Sequence, residues 1–171
     1  MERWDVYDRA GNLLGKTVAR GERLRDGEHH LVVHVWVVNS VGRLLIQRRS
    51  PRRQMMPNMW AATGGSAVAG EDSLTAIRRE LREELGISPK KEEFEFAGRL
   101  VRRNSLCDVW VVRKDVAVPD MKLQKSEVSD ARYVTPDQLR AMVADGRFHD
   151  YGAPYFRMVL KATERKADDE C

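Results

Sequence analysis

The sequence predicts a single domain of the α/β (α+β) class. Its 171 residues are about the length of one domain, and no internal repeat, low-complexity segment or flexible linker divides them. Strand-like segments rich in β-branched residues are mixed with segments of helical periodicity, and hydrophobic residues make up 42% of the chain. Within this domain, residues 1–171, we expect residues 1–28 to form an N-terminal hairpin extension and residues 161–171 a polar C-terminal tail.

Turn residues and hydrophobic alternation predict the strands in chain order. Residues 4–8 and 13–18 flank a Gly-Asn turn and form a first hairpin, which is followed by a polar, glycine-containing loop. Residues 31–38 are apolar and β-branched, and a Val-Gly turn leads into residues 43–49, so a second hairpin is expected. Further strands are predicted at residues 60–63, 94–103, 106–113 and 132–134.

Three helices follow from their caps and their periodicity. Asp72 can cap the amino end of a helix over residues 72–85, and Gly86 stands where a left-handed C-cap residue is expected. The apolar side chains of this helix recur every three or four residues and form one stripe: Leu74, Ile77, Leu81 and Leu85. Thr135-Pro136-Asp137 starts a second helix that runs to about residue 144, and a third is expected from residue 155 to about residue 166.

A second face of the helix over residues 72–85 is acidic. Glu80, Glu83 and Glu84 follow the spacing that brings carboxylates together on a helix. They lie in its carboxy-terminal half, where the helix dipole disfavours anions. One interpretation is a solvated acidic face relieved by neighbouring arginines. The other is a site for a divalent cation, because clustered carboxylate oxygens suit Mg²⁺ or Mn²⁺.

The surroundings of the acidic face favour the cation site. With five residues after its first position and seven after its second, a motif consists of Gly65, Glu71, Arg79-Glu80-Leu81, Glu83-Glu84 and Gly86-Ile87. This segment, 65–87, resembles the Nudix box, and the chain is therefore similar to Nudix hydrolases. The resemblance implies an α/β/α sandwich around a mixed β-sheet and Mg²⁺- or Mn²⁺-dependent hydrolysis of a pyrophosphate bond in a nucleoside diphosphate-type or related diphosphate substrate. We call Glu80, Glu83 and Glu84 the box glutamates.

The resemblance gives the glutamates and the arginine of the box distinct roles. Glu80, Glu83 and Glu84 would be metal ligands, and Glu80 is also the candidate general base. Arg79 would orient the glutamates, so the implied catalytic residues are Glu80, Glu83 and Arg79. The chemistry agrees with this assignment, since cations bridging the phosphates neutralise their charge and a nearby carboxylate can accept a proton from water.

Other positions of the motif would support this arrangement. Glu71 would pair with Arg79 or assist the metal shell. Gly64, which precedes the box, would offer its backbone carbonyl to the metal. Gly65 and Gly86 stand at the two ends of the loop–helix–loop that the box forms.

One more acidic ligand from outside the box is expected by the same resemblance. Glu127 is the candidate, because it precedes the strand predicted at residues 132–134. Asp130 and Asp108 are alternatives. A solvated loop carboxylate is the competing interpretation of Glu127.

A basic cluster, Arg48, Arg49, Arg52 and Arg53, leads from the second hairpin toward the box. Its guanidinium groups could hold the phosphates of the substrate through charge-assisted hydrogen bonds. The alternative is a solvated basic loop, or a set of strand residues of which one side alone faces the site. We expect at least one of the four to bind phosphate.

The strand run from residue 30 to residue 50, followed by Pro57 and Trp60, resembles the isopentenyl-diphosphate-isomerase-like branch of the superfamily. The isomerases use a catalytic Cys just before the box and several His ligands. Here Gly64 stands at the Cys position and Ser66 at a His position. His30 matches one ligand, but Arg23 stands near the place of another. The resemblance therefore favours hydrolysis over isomerisation of a prenyl diphosphate.

Composition restricts the partners and the compartment. With 30 basic and 26 acidic residues the net charge is +4, without the dense cationic tails of many nucleic-acid binders. No apolar run reaches the roughly 20 residues that span a bilayer, and neither Cys107 nor Cys171 is expected in a disulfide. We expect a cytoplasmic protein with a small-molecule diphosphate or nucleotide substrate, no membrane and no specific nucleic acid. The edge of the first hairpin could pair between subunits in a homodimer.

Two further functions stay open. The first is a nucleotide-binding or regulatory Nudix module without hydrolysis, which the complete box disfavours. The second is an RNA-end hydrolase, suggested by the basic isoelectric point of about 9.2. Against it, no basic stripe interleaved with aromatic residues is visible in the sequence.

Overall fold

The computed structural model describes residues 1–164. Over this range the chain forms a mixed α+β fold. The strands are β1 (Arg3–Tyr7), β2 (Leu13–Ala19), β3 (His30–Val38), β4 (Leu44–Arg49), β5 (Trp60–Ala61), β6 (Thr63–Ser66), β7 (Phe94–Val101), β8 (Ser105–Arg113) and β9 (Val128–Val134). The helices are α1 (Ser73–Leu85), α2 (Pro136–Ala144) and α3 (Ala153–Glu164).

Strand β3 is the centre of a seven-stranded mixed sheet. Along one edge it pairs in parallel with β8 over its whole length, and β7 continues the sheet antiparallel to β8. Along the other edge β3 pairs antiparallel with β6. Strand β4 carries a second group, because it pairs antiparallel with both β9 and β5. The site described below lies where these two groups of strands separate.

The second predicted hairpin forms its turn but not its full pairing. Strands β3 and β4 meet at the single pair Val38–Leu44 and then diverge. The prediction of one strand over residues 60–63 is wrong, because β3 and β4 diverge there. The segment forms two strands, of which β5 pairs with β4 and β6 pairs with β3. The chain crosses between them at Ala62, whose N–H donates to the hydroxyl of Tyr151 at 3.2 Å.

Helices cover both faces of the sheet, as the α/β/α expectation requires. Alternate residues of β3 point to opposite faces, so Val33 and Val35 pack with α1 while Trp36 and Val38 pack with α2 and α3. The stripe predicted on α1 is the buried face, and Leu81 and Leu85 have no exposed surface. None of the helices within residues 1–164 is long and apolar enough to cross a membrane.

The predicted helix ends are confirmed for α1 and α2. Asp72 accepts a hydrogen bond from the N–H of Thr75 at 2.8 Å, and Gly86 adopts a left-handed φ of 67°. Thr135 caps α2 in a reciprocal arrangement with Gln138. Helix α3 begins two residues earlier than predicted. Residues 161–164, which belong to the expected polar tail over residues 161–171, are its last turn. The rest of that tail, with Cys171, lies outside the described residues.

The N-terminal hairpin forms a small sheet of its own with a separate core of Val6, Val18 and Leu24. It is not a detached extension, because two hydrogen bonds dock β1 against the segment that enters α1. The carbonyl of Arg3 accepts from the N–H of Ala69 at 2.8 Å, and the carboxylate of Asp5 accepts from the N–H of Gly70 at 2.8 Å. Residues 1–19 therefore form a wall beside the box.

A buried polar contact ties β3 to α3. The indole N–H of Trp36 donates to the hydroxyl oxygen of Tyr155 at 3.0 Å, which leaves that hydroxyl free to donate to Nδ1 of His34 at 2.7 Å. Burial lowers the pKa of His34 to about 3. The imidazole is therefore neutral in the folded protein, whereas an unfolded chain would protonate it below about pH 6.5.

We expect acid to destabilise the fold in part through His34. Since its folded pKa lies below its unfolded value, the unfolded state binds more protons between about pH 6.5 and pH 3. Its contribution to the unfolding free energy therefore falls as the pH drops, by up to about 1.4 kcal/mol per pH unit. Urea unfolding of the wild type and of His34→Asn, followed by circular dichroism from pH 7 to pH 5, measures this. The variant should show a shallower pH dependence, and equal slopes would contradict the assignment.

Candidate active site

The box is built around two glycines of β6. A Cβ atom at Gly64 would collide with the carbonyl of Val33 and with the ring of His34. A Cβ atom at Gly65 would lie 2.5 Å from Oε1 of Glu80. The absence of a side chain at Gly65 therefore lets Glu80 of α1 lie against the backbone of β6, whereas the absence of one at Gly64 lets β6 pair closely with β3. Gly65 lies on β6 itself, and Gly86 caps the carboxy end of α1.

Arg79 connects the loop, the helix and the strand. Its guanidinium makes a bidentate pair with Glu71, with distances of 2.6 and 3.0 Å. The same group donates to Glu80 at 3.0 Å and to Glu83 at 3.2 Å, and to the carbonyl of Ser66 at 3.3 Å. The pair with Glu71 raises the pKa of Arg79, so the cation is permanent. The expected pairing of Glu71 with Arg79 is therefore present.

Glu84 is the most buried of the box glutamates, with 6% of its surface exposed. Its carboxylate accepts a hydrogen bond from the N–H of Gly64 at 3.3 Å. Burial, and then the nearby charge of Glu80, raise the pKa of Glu84 to about 8. The nearby charge of Arg53 opposes this shift only in part, and a divalent metal ion would stabilise the charged carboxylate further.

Glu80 and Glu83 differ in their exposure. The side chain of Glu80 is 13% exposed and that of Glu83 45% exposed. Burial raises the pKa of Glu80, and its contact with Arg79 opposes the shift without cancelling it. The three carboxylates thus form a gradient from the closed interior at Glu84 to the solvent at Glu83.

One member of the basic cluster, Arg53, lies within electrostatic range of these carboxylates. Burial lowers the pKa of Arg53, with a smaller contribution from Arg49, while Glu84 and Glu80 oppose the shift. Arg53 also forms an ion pair with Glu127. Glu127 therefore has a cation as its partner, and that cation lies within electrostatic range of Glu84 and Glu80.

The other members of the basic cluster point elsewhere. Arg48 is exposed and its Nε donates to the carbonyl of Asn58 at 3.1 Å. Arg52 is exposed on the loop that follows β4. Arg49 donates to the carbonyl of Met55 at 2.9 Å, so this arginine also holds the loop in place. Among the four arginines of the cluster, Arg53 is therefore the one that lies on the side of the box glutamates.

The alternative acidic ligands lie outside the cluster of box glutamates. Asp108 is buried on β8, where Arg99 binds both of its oxygens at 2.6 and 3.0 Å. Asp130 is exposed on β9 and bonds to the N–H of Ala131. Arg99 thus already satisfies the carboxylate of Asp108.

The structure adds residues that the sequence did not indicate. Glu2 and Arg20 form an ion pair of 3.1 Å on the N-terminal hairpin. Glu2 is close enough to raise the pKa of Glu80, and Arg20 is close enough to lower that of Arg53. No local motif distinguishes these two residues, since their position depends on how the hairpin docks.

The donor set fits a hard divalent cation, although the side chains also bond to one another. Within residues 1–164, no three His, Cys, Asp or Glu side chains are gathered as a finished metal site. The guanidinium of Arg79 donates hydrogen bonds to Glu80 and Glu83, and the N–H of Gly64 donates one to Glu84. The carboxylates of Glu80 and Glu84, whose pKa values are raised, nevertheless lie beside the backbone of Gly64 and Gly65, which carry no side chains. Oxygen ligands of this kind suit Mg²⁺ or Mn²⁺.

Comparison with known proteins is consistent with this geometry. The profile of the NUDIX domain matches residues 28–154. An uncharacterized Nudix hydrolase of Listeria monocytogenes is 42% identical over 161 residues, which cover 91% of this chain and 90% of the relative. Nudix hydrolase 3 of Arabidopsis thaliana is 34% identical over 154 residues, which cover 81% of this chain and 20% of the plant protein.

Solved structures show the same fold. The crystal structure of DR0079 from Deinococcus radiodurans superposes with a TM-score of 0.76 at 26% identity, covering 96% of this chain and 98% of the other. The NUDIX domain of NrtR from Shewanella oneidensis, solved in complex with ADP-ribose, superposes with a TM-score of 0.54 at 16% identity, covering 66% of this chain and 77% of the other. With the profile match and the Listeria relative, these observations show that the chain belongs to the Nudix hydrolase family.

Proposed function

We propose that this Nudix hydrolase cleaves the pyrophosphate bond of a nucleoside diphosphate-type or related diphosphate substrate with Mg²⁺ or Mn²⁺. Its family acts on pyrophosphate bonds and generally uses divalent metals. The observation that carries the proposal is the buried Glu84 carboxylate beside Glu80 and the Gly64 backbone, within a complete box. The fold shared with a NUDIX domain that binds ADP-ribose supports a nucleotide-type substrate.

The metal ligands of this proposal are the box glutamates, Glu80, Glu83 and Glu84, with the carbonyl of Gly64. A divalent cation held there would neutralise the pyrophosphate oxygens and lower the pKa of water. Glu80 is the candidate general base, because it is a largely buried carboxylate whose pKa burial raises. Arg79 acts as a positioning residue, since it holds Glu80 and Glu83 in place against the loop.

Phosphate binding is assigned to Arg53. Arg53 lies in the field of Glu84 and Glu80, next to the proposed cation. Its ion pair with Glu127 would orient the guanidinium and supply a further carboxylate to the outer part of the site. Arg48 and Arg52, which are exposed, would contribute to the approach of an anionic substrate.

We infer that the chain is related in sequence to the isomerase-like branch but does not catalyse isomerisation. Gly64 supplies no thiol, and Ser66 and Arg23 stand where histidine ligands would be needed. The Arg-Glu and Glu-Glu pairs of the box, a pattern that those enzymes break, are intact here at Arg79-Glu80 and Glu83-Glu84. A binding module without hydrolysis and an RNA-end hydrolase remain the competing functions, and a substrate screen distinguishes them.

Assembly and compartment are also proposals. We infer one domain over residues 1–171. We further infer a homodimer through the edge of β2, where Leu13 is 62% exposed and Leu14 is 45% exposed. A cytoplasmic location is supported by the free thiol of Cys107, which is buried and whose pKa burial raises to about 12.

Divalent-metal hydrolysis is tested with a screen of nucleoside di- and triphosphates, sugar nucleotides, dinucleotides, prenyl diphosphates and capped RNA. We expect monophosphate products from at least one small diphosphate, and Glu83→Gln should lower kcat by about two orders of magnitude or more, since it removes a charged ligand. Phosphate-ester analysis by ³¹P NMR measures this. The exposed Glu92→Gln is the matched control. Full turnover in Glu83→Gln would refute the metal assignment, and tight binding without turnover would support the binding module.

Arg79→Lys tests the positioning role of the guanidinium. A lysine cannot bind Glu71 bidentately while also reaching Glu80, so several charge-assisted hydrogen bonds are lost. We expect kcat to fall about 10²-fold or more, with a smaller change in KM. Steady-state kinetics measure both, and Arg82→Lys, on the exposed side of the same helix, serves as the control. An unchanged kcat in Arg79→Lys would exclude this role.

Glu84→Gln tests whether the buried carboxylate needs a cation. Without divalent metal, removal of the buried charge should leave the melting temperature unchanged or raise it. Saturating Mn²⁺ should raise the melting temperature of the wild type by about 5–10 °C, and that of Glu84→Gln by less than half as much. Differential scanning calorimetry with and without MnCl₂ measures this. An equal response in the two proteins would show that Glu84 is not a ligand.

A further inference from the structure

The buried contact between β3 and α3 fixes the tautomer of His34. The hydroxyl oxygen of Tyr155 accepts from the indole N–H of Trp36 at 3.0 Å, and its proton is donated to Nδ1 of His34 at 2.7 Å. A proton on Nδ1 would instead point at the same oxygen and leave the hydroxyl proton of the fully buried Tyr155 without a partner, which costs free energy. Nδ1 is therefore the acceptor, and the neutral imidazole carries its proton on Nε2.

The Nε2–H of His34 is an open hydrogen-bond donor. Within residues 1–164 Nε2 has no hydrogen-bond partner, and unlike Nδ1 of His29 and of His30 it is not enclosed. The side chain as a whole is nine-tenths buried, with 9% of its surface exposed. Because Tyr155 holds the opposite side of the ring, the protein presents this N–H in one fixed orientation.

Gly64 leaves room beside this donor. His34 and Gly64 are opposite residues of β3 and β6, and a Cβ atom at Gly64 would lie 2.8 Å from Cδ2 of the imidazole. Since Cδ2 and Nε2 are adjacent atoms of the ring, a side chain at position 64 would crowd the Nε2 edge. The ring of Tyr151 stands across the same space, with its centroid 4.9 Å from that of His34. We call the space between His34, Gly64 and Tyr151 the Gly64 recess.

The Gly64 recess adjoins the box. The N–H of Gly64 itself donates to the carboxylate of Glu84 at 3.3 Å. On the other side of the recess, the hydroxyl of Tyr151 accepts from the N–H of Ala62, two residues earlier on the same chain segment. Burial raises the pKa of Tyr151, and Glu84 is close enough to add to that shift. A group that contacts Glu84 or a cation bound there therefore lies next to the recess.

The charges around the Gly64 recess favour an anion. Besides burial, the charges that lower the pKa of His34 are those of Arg102 and His149. Arg102 is held in place by its hydrogen bond to the carbonyl of Tyr151 at 2.6 Å. The charge of Asp150 acts on His149 and not on His34. A fixed N–H donor near a cation suits an oxygen that carries negative charge, and a diphosphate offers such oxygens.

We propose that the Nε2–H of His34 binds a phosphate oxygen of the substrate in the Gly64 recess, with Tyr155 and Trp36 as positioning residues. This inference rests on the proposed hydrolysis of a diphosphate. His34 shares the face of β3 with Trp36, toward α3, whereas the box glutamates come from α1 on the other face. The diphosphate is therefore contacted from both faces of the sheet, and the donor on the α3 side belongs to the core of the fold.

NMR of the full chain labelled with ¹⁵N-histidine tests the donor directly. The ring of His34 is identified through its nuclear Overhauser contacts with Tyr155. We expect its Nε2 to be protonated and its Nδ1 to be unprotonated. When methylenediphosphonate, a diphosphate analogue that is not hydrolysed, is added with MgCl₂, the Nε2 signal should shift and saturate. A proton on Nδ1, or an Nε2 signal that does not respond to methylenediphosphonate, would overturn the proposal.

Two substitutions separate the donor from the packing of the ring. Asparagine at position 34 can still accept from Tyr155 but is too short to place an N–H where Nε2 lies, so His34→Asn should raise the Kd of methylenediphosphonate about tenfold. Glutamine is one bond longer and reaches that place, so His34→Gln should retain more of the affinity. His29→Asn, at a buried histidine that precedes β3, should bind as the wild type does. Isothermal titration calorimetry measures these values, and an equal Kd in His34→Asn and His29→Asn would refute the role.

Kinetics distinguish this proposal from the proposed activity. For a diphosphate of the screen that the wild type hydrolyses, kcat/KM should fall about tenfold in His34→Asn and by less in His34→Gln. Hydrolysis with an unchanged kcat/KM in His34→Asn would overturn the donor while the proposed activity stands. The reverse result, a shifted Nε2 signal without hydrolysis of any diphosphate, would support the donor and refute the proposed activity.

Discussion

The guanidinium of Arg79 is the interaction on which the acidic site depends. It joins Glu71 on the loop, Glu80 and Glu83 on α1, and the carbonyl of Ser66 on β6. Like charges at helical spacing would otherwise repel one another, at a place where the helix dipole also disfavours them. A single planar cation with several donors can satisfy partners on three chain segments at once, which a point charge cannot. The carboxylates are thereby held in place before any metal ion or substrate arrives.

The divergence of β3 from β4 creates the space in which those carboxylates lie. Because the two strands separate after Val38 and Leu44, β6 can pair with β3 and present the backbone of Gly64 to α1. That close approach buries Glu84, and burial raises the pKa of its carboxyl group well above the usual value. Stability is thus partly given up at Glu84, the position that we propose as a cation ligand. Active sites commonly concentrate perturbed groups in this way.

Local patterns predicted the parts of the structure that depend on neighbouring residues. Asp72 and Gly86 bound α1 as their cap chemistry requires, and the spacing of the box located its glutamates. The parallel pairing of β3 with β8 joins strands distant in sequence, and no turn signal encodes it. The contacts of Arg20 and the ion pair of Arg53 with Glu127 depend on the same long-range packing. For that reason the acidic half of the site could be predicted, but its other walls could not.

The crossover at Ala62 has a mechanical consequence. One residue separates β5, which belongs to the β4 group of strands, from β6, which carries Gly64. Consecutive Cα atoms are about 3.8 Å apart, so a link of one residue leaves little slack, and the N–H of Ala62 is bonded to the Tyr151 hydroxyl. The two groups of strands are therefore closely coupled at this point. A displacement of residues 50–59 should for that reason also shift the backbone of Gly64, whose N–H donates to Glu84.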